Sequence, residues 1–399
     1  MDLATGFATI VDAQCARFLP YTYSHPLVIS DARYRELKQL GLVLYTAIRH
    51  LATHYRQYLH LLPFSESDLR MLDICSQYPY RVGTFRTDFV IDSAGNIQII
   101  EITARQPLNG YFTSGVFRQI ALEQAARYGI PGVRDVYPPF FPYLEQYIGD
   151  ARHLCVIKGD ERLEEFRLYP TIFAAAGATC HIIPIAELAD SLPLLEDAWV
   201  VEELTFREIR QFPLPVLEAL ARTRLHNDLR TIFFAHDKRF FRLLNQAEFL
   251  NDALQPDEQA LLRKYLVPTY VYGMDTEHWD DAYQHREAYI VKHQIMGKSE
   301  QVFAGCVTDD ASWRQLFDDG SVRQMVLQPF LTQRRFSGVV GEEARHDYVA
   351  GTLLYFNQEF FGPGLFRASS FPVTNKVDDR KIAPLVADVE PAIPGVNYL

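Results

Sequence analysis

Apolar side chains recur every three or four residues over positions 31–61. At this spacing they fall on one face of a helix, and a single apolar stripe predicts a helix with one buried face. We therefore expect residues 1–80 to form an N-terminal helical segment. The residues that form the stripe are Leu37, Leu40, Leu44, Ile48 and Leu51.

Residues 84–103 follow another pattern, in which two β-branched runs flank the sequence Asp-Ser-Ala-Gly-Asn. This predicts a β-hairpin. If the turn centres on the Ala-Gly pair, Asp88 faces Glu101. Arg86 then faces Thr103 on the same side, because strand side chains alternate with a period of two. A bulged turn would instead shift the register by one residue and separate the acids.

The next segment predicts a βαβ unit, and hence a parallel sheet. HLCVIKGD, from 153, and TCHIIPI, from 179, are short apolar strands on either side of a helical segment. Pro170 within that segment should begin or kink a helical turn. Residues 196–204 add a possible further strand.

The C-terminal half predicts alternating helices and strands. Helices are expected over TIFFAHDKRFFRLLNQ and DDASWRQLF, and strands over AYIVKH and VRQMVLQPFL. A strand–turn–strand pattern follows from Tyr348 to Ser370. The last ~20 residues contain three prolines and little periodicity, so they predict an extended tail.

These elements favour an α/β or α+β fold with mixed sheets. The predicted units are an N-terminal helical segment (1–80), an acidic hairpin belonging to the main sheet (81–150), a βαβ domain (151–205), a C-terminal domain of alternating helices and strands (206–380) and the tail (381–399).

Composition narrows the function classes. The 399 residues are 48% hydrophobic, which suffices for a packed core. Lys and Arg total 39 against 50 Asp and Glu, a net charge of −11 that argues against a nucleic-acid partner. The five cysteines form no CxxC pair, and no apolar run is long enough for a membrane span. We therefore expect a cytoplasmic protein without a membrane partner.

The hairpin carries the first candidate chemistry. Two carboxylates directly opposite each other repel, and a divalent cation removes the repulsion. Hard oxygen ligands suit Mg²⁺, which also bridges nucleotide phosphates. The alternative is a solvated hairpin on which Arg86 screens both acids.

Two lysines supply candidate phosphate ligands. Lys238 lies at or near a helix start, and Lys292 ends an apolar strand, where an unpaired ammonium is costly. The loop after Lys292, with Gly297 and Lys298, can fold over phosphates and present backbone N–H groups. Alternatively, both lysines extend along the surface to solvent.

Three further residues complete the set. Gln328 precedes a proline at a strand edge or hinge, a common place for an adenine. Arg367 and Asn375 offer a guanidinium suited to phosphate and an amide oxygen suited to Mg²⁺. Ordinary sheet and turn chemistry is the alternative for Arg367 and Asn375.

The order of these motifs resembles the circularly permuted ATP-grasp ligases, of the glutathionylspermidine synthase-like family. In ordinary ATP-grasp ligases the phosphate lysines precede the metal-binding acids, whereas here the acidic hairpin comes first. The resemblance covers residues ~80–115 and ~228–380. It implies an ATP-grasp fold, with a small βαβ domain like the one that precedes the grasp domain.

The resemblance also implies roles for individual residues. Arg86 and Arg367 would contact the transferred phosphate and the triphosphate end. Asp88 and Glu101 would hold Mg²⁺, with Thr103 as a possible hydroxyl ligand. Arg105, just beyond the hairpin, is a candidate anchor for the substrate carboxylate. The remaining implied contacts are Lys238, Lys292, Gly297 and Lys298 with phosphates, Gln328 with adenine, and Asn375 with the metal.

The implied activity is ATP-dependent joining of a carboxylic acid to an amine through an acyl phosphate, with ADP and phosphate released. A homodimer is possible, as such ligases are often dimeric. Relatives carry Asn at the position of Thr103 and a loop richer in glycine. An alternative is therefore a nucleotide-binding sensor or scaffold without ligase activity, or an enzyme with a non-amine acceptor.

Overall fold

The computed structural model describes residues 2–104, 110–137, 140–151, 153–160, 165–297, 299–374, 376–388 and 393–399. The helices are α1 (Leu3–Phe18), α2 (Asp31–His54), α3 (Glu66–Cys75), α4 (Tyr111–Tyr128), α5 (Phe140–Ile148), α6 (Tyr169–Ala175), α7 (Phe206–Ile209), α8 (Leu214–Arg222), α9 (Leu229–Ala235), α10 (Arg239–Leu243), α11 (Ala247–Ala253), α12 (Pro256–Tyr265), α13 (Thr276–Gln284) and α14 (Asp310–Asp318).

The strands belong to four sheets. In chain order they are β1 (Leu27–Ser30), β2 (Thr84–Ile91), β3 (Ile97–Thr103), β4 (Val133–Arg134), β5 (His153–Lys158), β6 (Thr179–Pro184), β7 (Ala198–Glu203), β8 (Arg224–Leu225), β9 (Tyr270–Val271), β10 (Tyr289–His293), β11 (Val302–Ala304), β12 (Met325–Pro329), β13 (Arg335–Val340), β14 (Glu343–Phe356), β15 (Glu359–Pro363), β16 (Phe366–Ser369), β17 (Arg380–Ile382), β18 (Pro384–Ala387) and β19 (Asn397–Tyr398).

The predicted N-terminal helix is confirmed as α2. The side chain of Ser30 caps its first turn by accepting the backbone N–H of Arg33 at 3.2 Å. All five residues of the predicted stripe are buried, and α2 packs on α9, α11, α12 and β15. This apolar face anchors the helical layer to the main core.

The large sheet has the order β17-β16-β14-β2-β3, with β13 and β15 also paired to β14. The predicted hairpin forms β2 and β3. The long strand β14 lies beside β2, so residues from both halves of the chain share one sheet. One face packs into the main core through side chains such as Phe85, Phe89 and Leu353, which leaves the other face to form a site.

The small sheet has the order β11-β10-β12-β9, with antiparallel pairing. Its buried face carries Val291 and Leu327, which pack against Trp279 of α13 and Trp313 of α14. The predicted strands over AYIVKH and VRQMVLQPFL are thus confirmed. The opposite face, which includes Lys292, points away from this core.

The predicted βαβ unit is confirmed in the parallel sheet, β6-β5-β7-β8, whose strands all run parallel. The suggested strand over 196–204 is β7. Pro170 lies in the first turn of α6, where a missing backbone N–H costs nothing. The helix is therefore shorter than the sequence pattern predicted.

The tail prediction is wrong in part. The C-terminal residues are extended, but β18 and β19 both pair in parallel with β1 near the other end of the chain. Together with β4 they make a fourth sheet, the terminal sheet. Every residue of β18 is buried. A strand buried on both faces shows no alternation, which is why the periodicity failed to reveal it.

The single helix predicted over TIFFAHDKRFFRLLNQ is also a wrong prediction. The structure has two short helices, α9 and α10, separated at residues 236–238. The Asp237 carboxylate accepts the backbone N–H of Arg239 at 2.9 Å and pairs with its guanidinium at 2.6 Å. Such side-chain-to-backbone bonds compete with continuation of a helix. The break places Lys238 at the start of α10.

Candidate functional site

The register of the hairpin brings the two acids together. Asp88 lies opposite Glu101, and Arg86 lies opposite Thr103, as the sequence predicted. Nearer the turn the ladder is shifted by one residue, because Phe89 pairs with Ile99. A bulge between these two stretches restores the register. The one-residue shift is therefore present near the turn, but it does not separate the acids, which stay on one face.

The same face continues across the large sheet. On β14, Thr352 lies opposite Asp88, and Ala350 lies opposite both Val90 of β2 and Arg367 of β16. Strand alternation then puts Arg367 on the face that carries the acids. The pairing of β14 with β2 thus joins predicted site residues from the two halves of the chain.

A cleft separates this face from the face of the small sheet that carries Lys292. It encloses about 1310 Å³ of empty space, including the part open to solvent. Ile290, Lys292, Val302 and Gln328 line it from the small sheet. The predicted site residues that line the cleft are Arg86, Asp88, Glu101, Thr103, Lys292, Gly297, Gln328 and Arg367.

Lys238, at the break between α9 and α10, is outside the lining of the cleft and contacts two residues that line it. Its backbone N–H donates to the carbonyl of Gln294 at 2.9 Å, and its Nζ donates to the carbonyl of Met296 at 2.6 Å. The same Nζ lies 3.1 Å from Oε1 of Glu101. Lys238 therefore ties the loop after β10 to the acidic hairpin.

Lys292 approaches the hairpin from the opposite sheet. Its Nζ donates to the carbonyl oxygen of Ile100, the extra residue of the bulge, at 3.4 Å. Burial lowers the pKa of Lys292 to about 8, although the negative charge of Glu101 opposes this shift. A buried ammonium of this kind is suited to an anionic ligand in the cleft.

The acids are held by neighbouring cations. The guanidinium of Arg86 donates to Asp88 at 2.7 and 3.1 Å. Burial of Glu101 would raise its pKa. Electrostatic interactions with Lys238, His236 and Lys292 outweigh burial and lower the pKa of this carboxyl to about 2. The carboxylate of Glu101 is thus kept ionised near neutral pH.

The donor set fits Mg²⁺ and a nucleotide. Two carboxylates and the Thr103 hydroxyl offer hard oxygens on one face, and no group of three or more His, Cys, Asp or Glu suited to a metal occurs in the described ranges. Mg²⁺ is commonly held by one or two carboxylates together with substrate phosphates. Gln328 donates to Thr269 at 2.9 Å, while its buried Oε1 has no hydrogen-bond partner among the described residues. That oxygen fits a donor on a ligand.

Three predicted residues, Arg105, Lys298 and Asn375, lie outside the described residues. Sequence reasoning missed other residues of the cleft. Thr352 lines it through a long-range strand pairing that leaves no local signal. His236 is also buried there beside Glu101. The His-Asp pair just before the helix break was the available signal.

Comparisons with known proteins gave a partial match to a family model and a match to a solved structure. A family model described as the AnkG N-terminal domain matches residues 48–234, which is less than half of the chain. No curated protein matches. Among solved structures, the apo form of a glutathione synthetase like-effector (GSS30) from Globodera pallida aligns with a TM-score of 0.58 at 11% identity. The alignment covers 91% of this chain and 89% of that chain.

The chain therefore has a mixed α/β fold of the ATP-grasp-like type found in that glutathione synthetase-like protein. An identity this low supports the fold and nothing finer. In the described ranges, none of the helices combines the length and the apolar character needed to cross a bilayer.

Proposed function

We propose that this protein is an ATP-dependent carboxylate–amine ligase of the circularly permuted ATP-grasp group, related to glutathionylspermidine synthase-like enzymes. The observation that carries the proposal is the convergence of Asp88 and Glu101 with Lys292 and Arg367 on the two faces of one cleft. These charges come from distant parts of the chain. A magnesium–triphosphate unit is the ligand that fits them, because the carboxylates can bind the cation while the lysine and the arginine bind the phosphates.

The proposed roles follow from position. Asp88 and Glu101 would hold Mg²⁺, which supplies charge neutralisation between phosphate oxygens. Lys238 and Lys292 would bind the phosphates, and the Oε1 of Gln328 would accept a hydrogen bond from the adenine amino group. Thr103, Gly297 and Arg367 line the same cleft, and Arg105, Lys298 and Asn375 retain the roles that the family resemblance implies.

The chemistry would proceed in two displacements. A substrate carboxylate oxygen attacks the terminal phosphorus of ATP, and the bond to the bridging oxygen breaks to give ADP and an acyl phosphate. An amine lone pair then attacks the acyl carbon, phosphate leaves with the bonding electrons, and the amine loses a proton. The protein contributes positioning and charge stabilisation, with Arg86 placed to bind the transferred phosphoryl group.

Hydroxylamine trapping tests this proposal. Incubation with ATP, Mg²⁺ and a panel of carboxylic acids should yield a hydroxamate and an equal amount of ADP. Asp88→Asn should lower both products roughly 100-fold or more. Asp190→Asn, at an exposed position, should leave them unchanged. Release of AMP and pyrophosphate would contradict an acyl-phosphate route.

A second candidate is a nucleotide-binding protein that does not catalyse ligation. It is favoured by Thr103, which offers a hydroxyl in place of an amide oxygen, and by the single glycine in the loop after β10. Calorimetry separates the two. Nucleotide binding that is independent of Mg²⁺, with no turnover of any acid and amine pool, supports the second candidate. A product ester instead of an amide would identify a hydroxyl acceptor.

A further inference from the structure

Both candidate metal ligands already have a cationic partner. The Arg86 guanidinium lies 2.7 Å from Asp88, and the Lys238 ammonium lies 3.1 Å from Glu101. Lys238 is only 2% exposed, and the side chain of Glu101 is 19% exposed. An ion pair so shielded from water is screened far less than a surface pair. A metal that binds Glu101 through Oε1 must therefore displace a buried ammonium.

The charge of the cleft opposes a metal that arrives alone. The described lining of the cleft has three cationic side chains and two carboxylates, an excess of one positive charge, and a fourth cation, Lys238, pairs with Glu101. A divalent cation by itself would enlarge that excess. A nucleoside triphosphate carries more negative charge than the divalent metal carries positive charge. The two together therefore reduce the positive excess of the cleft. The cations are Arg86, Lys238, Lys292 and Arg367.

We propose that Lys238 takes the place of the metal at Glu101 in the nucleotide-free protein and moves to the phosphates when the nucleotide binds. The metal then enters together with the nucleotide, since the phosphates release Lys238 from the carboxylate. This inference rests on the proposed function and concerns the order in which its ligands bind. It predicts positive coupling between metal and nucleotide, which is necessarily the same in both directions.

The local structure permits this exchange with little movement. The backbone of Lys238 is held by its hydrogen bond to Gln294 at 2.9 Å, so only the flexible side chain has to turn. Its other contact, the Met296 carbonyl, belongs to the loop that borders the cleft beside Gly297. The ammonium can therefore leave Glu101 without unfolding an element of the sheet.

Metal binding measured by calorimetry, and by the electron paramagnetic resonance signal of free Mn²⁺, tests the exchange. The full chain is titrated with Mg²⁺ or Mn²⁺ alone, and again with saturating non-hydrolysable ATP analogue. The wild type should bind the metal roughly 5- to 150-fold more tightly with the analogue, the usual range for linked sites.

Lys238→Met should bind the metal alone more tightly than the wild type and show weaker coupling, because Glu101 no longer has its own cation. Lys264→Met is the matched control, since Lys264 pairs with Glu36 at an exposed site. This control should retain the wild-type coupling. A thermal melt verifies that each variant is folded.

Equal metal affinity with and without the analogue in the wild type would overturn the inference, and this measurement does not depend on any variant. A folded Lys238→Met protein with unchanged metal affinity would also overturn it. In both cases ligase activity could persist, and the proposed function would stand. If the wild type bound no nucleotide at all, the proposed function itself would fail, and this inference with it.

Discussion

Lys238 and Glu101 form a buried ion pair, with Nζ 3.1 Å from Oε1, that joins the start of α10 to the acidic hairpin. The pair lies at the edge of the cleft, where the loop after β10 also contacts Lys238. It links three separate segments of the chain through two side chains. Its charge state should therefore affect the stability of the protein as well as ligand binding.

Acid titration should weaken the protein through Glu101. The pKa of Glu101 in the folded protein is about 2, below its ordinary value of 4.5. The contribution of Glu101 to the free energy of unfolding is therefore fully present above about pH 4.5 and is lost as the pH falls through about 2. Glu101→Gln should remove roughly 3 kcal/mol near neutral pH. The difference from the wild type should shrink with falling pH in denaturant titrations. A difference that stays constant with pH would contradict the assignment.

Nucleotide binding should depend on the charge of Lys292. Because burial lowers the pKa of Lys292 to about 8, the lysine loses its charge as the pH rises through that value. We expect nucleotide affinity in calorimetry to decline over that range. Lys292→Met should weaken binding by about 10-fold or more at neutral pH, since hydrogen bonds to charged groups contribute about 1.5–3 kcal/mol. Lys292→Arg, which keeps its charge, should bind with no such decline, and a parallel decline in this variant would exclude Lys292 as the cause.

Glu165 should make the protein less stable at alkaline pH. Its carboxylate accepts the backbone N–H groups of Gly110 and Thr113 at 3.0 and 2.9 Å, at the start of α4. Burial nevertheless raises the pKa of Glu165 to about 7 from 4.5. The contribution of Glu165 to the free energy of unfolding is therefore fully present below about pH 4.5 and is lost as the pH rises through about 7.

Glu165→Gln should abolish this loss, which amounts to about 3 kcal/mol in the free energy of unfolding between about pH 5 and 8. Denaturant titrations at both pH values measure it. Glu218→Gln, at an exposed position, should keep the wild-type dependence. If the Glu165→Gln protein also lost stability with rising pH as the wild type does, another group would be responsible for that loss.

Gly41 should not tolerate alanine, although it lies in the middle of α2. Alanine normally stabilises a helix interior relative to glycine by about 1 kcal/mol. Here its Cβ would lie 2.2 Å from the ring of Tyr355, which is held between Phe85 and Phe360. We expect Gly41→Ala to lower the free energy of unfolding by about 1–3 kcal/mol.

Thermal or denaturant unfolding tests this packing. Lys38→Ala, on the exposed face of the same helix, is the control and should change stability by less than about 0.5 kcal/mol. A Gly41→Ala protein as stable as the control would show that the Tyr355 ring can move away.

Short-range sequence patterns were sufficient to predict the helices and strands that carry most of the candidate site. The period of two in residues 84–103 predicted that Asp88 and Glu101 share a face, and the bulge at Ile100 provides this, because the register nearer the turn would pair Asp88 with Ile100. The apolar stripe determined α2, and the βαβ pattern determined the parallel sheet. The proposed domain boundaries and residue roles remain predictions. Local pattern failed where a strand is buried on both faces, as in β18, and where Asp237 ends a helix through its own hydrogen bonds.

By itself, the sequence determined which residues carry charge and which face of each strand they occupy, because alternation and helical spacing act over a few residues. Only the tertiary structure decided which faces meet. The pairing of β14 with β2, the parallel pairing of β1 with β18, and the contact of Lys238 with Glu101 each join distant segments. Such contacts depend on the packing of the whole chain, and no local pattern records them.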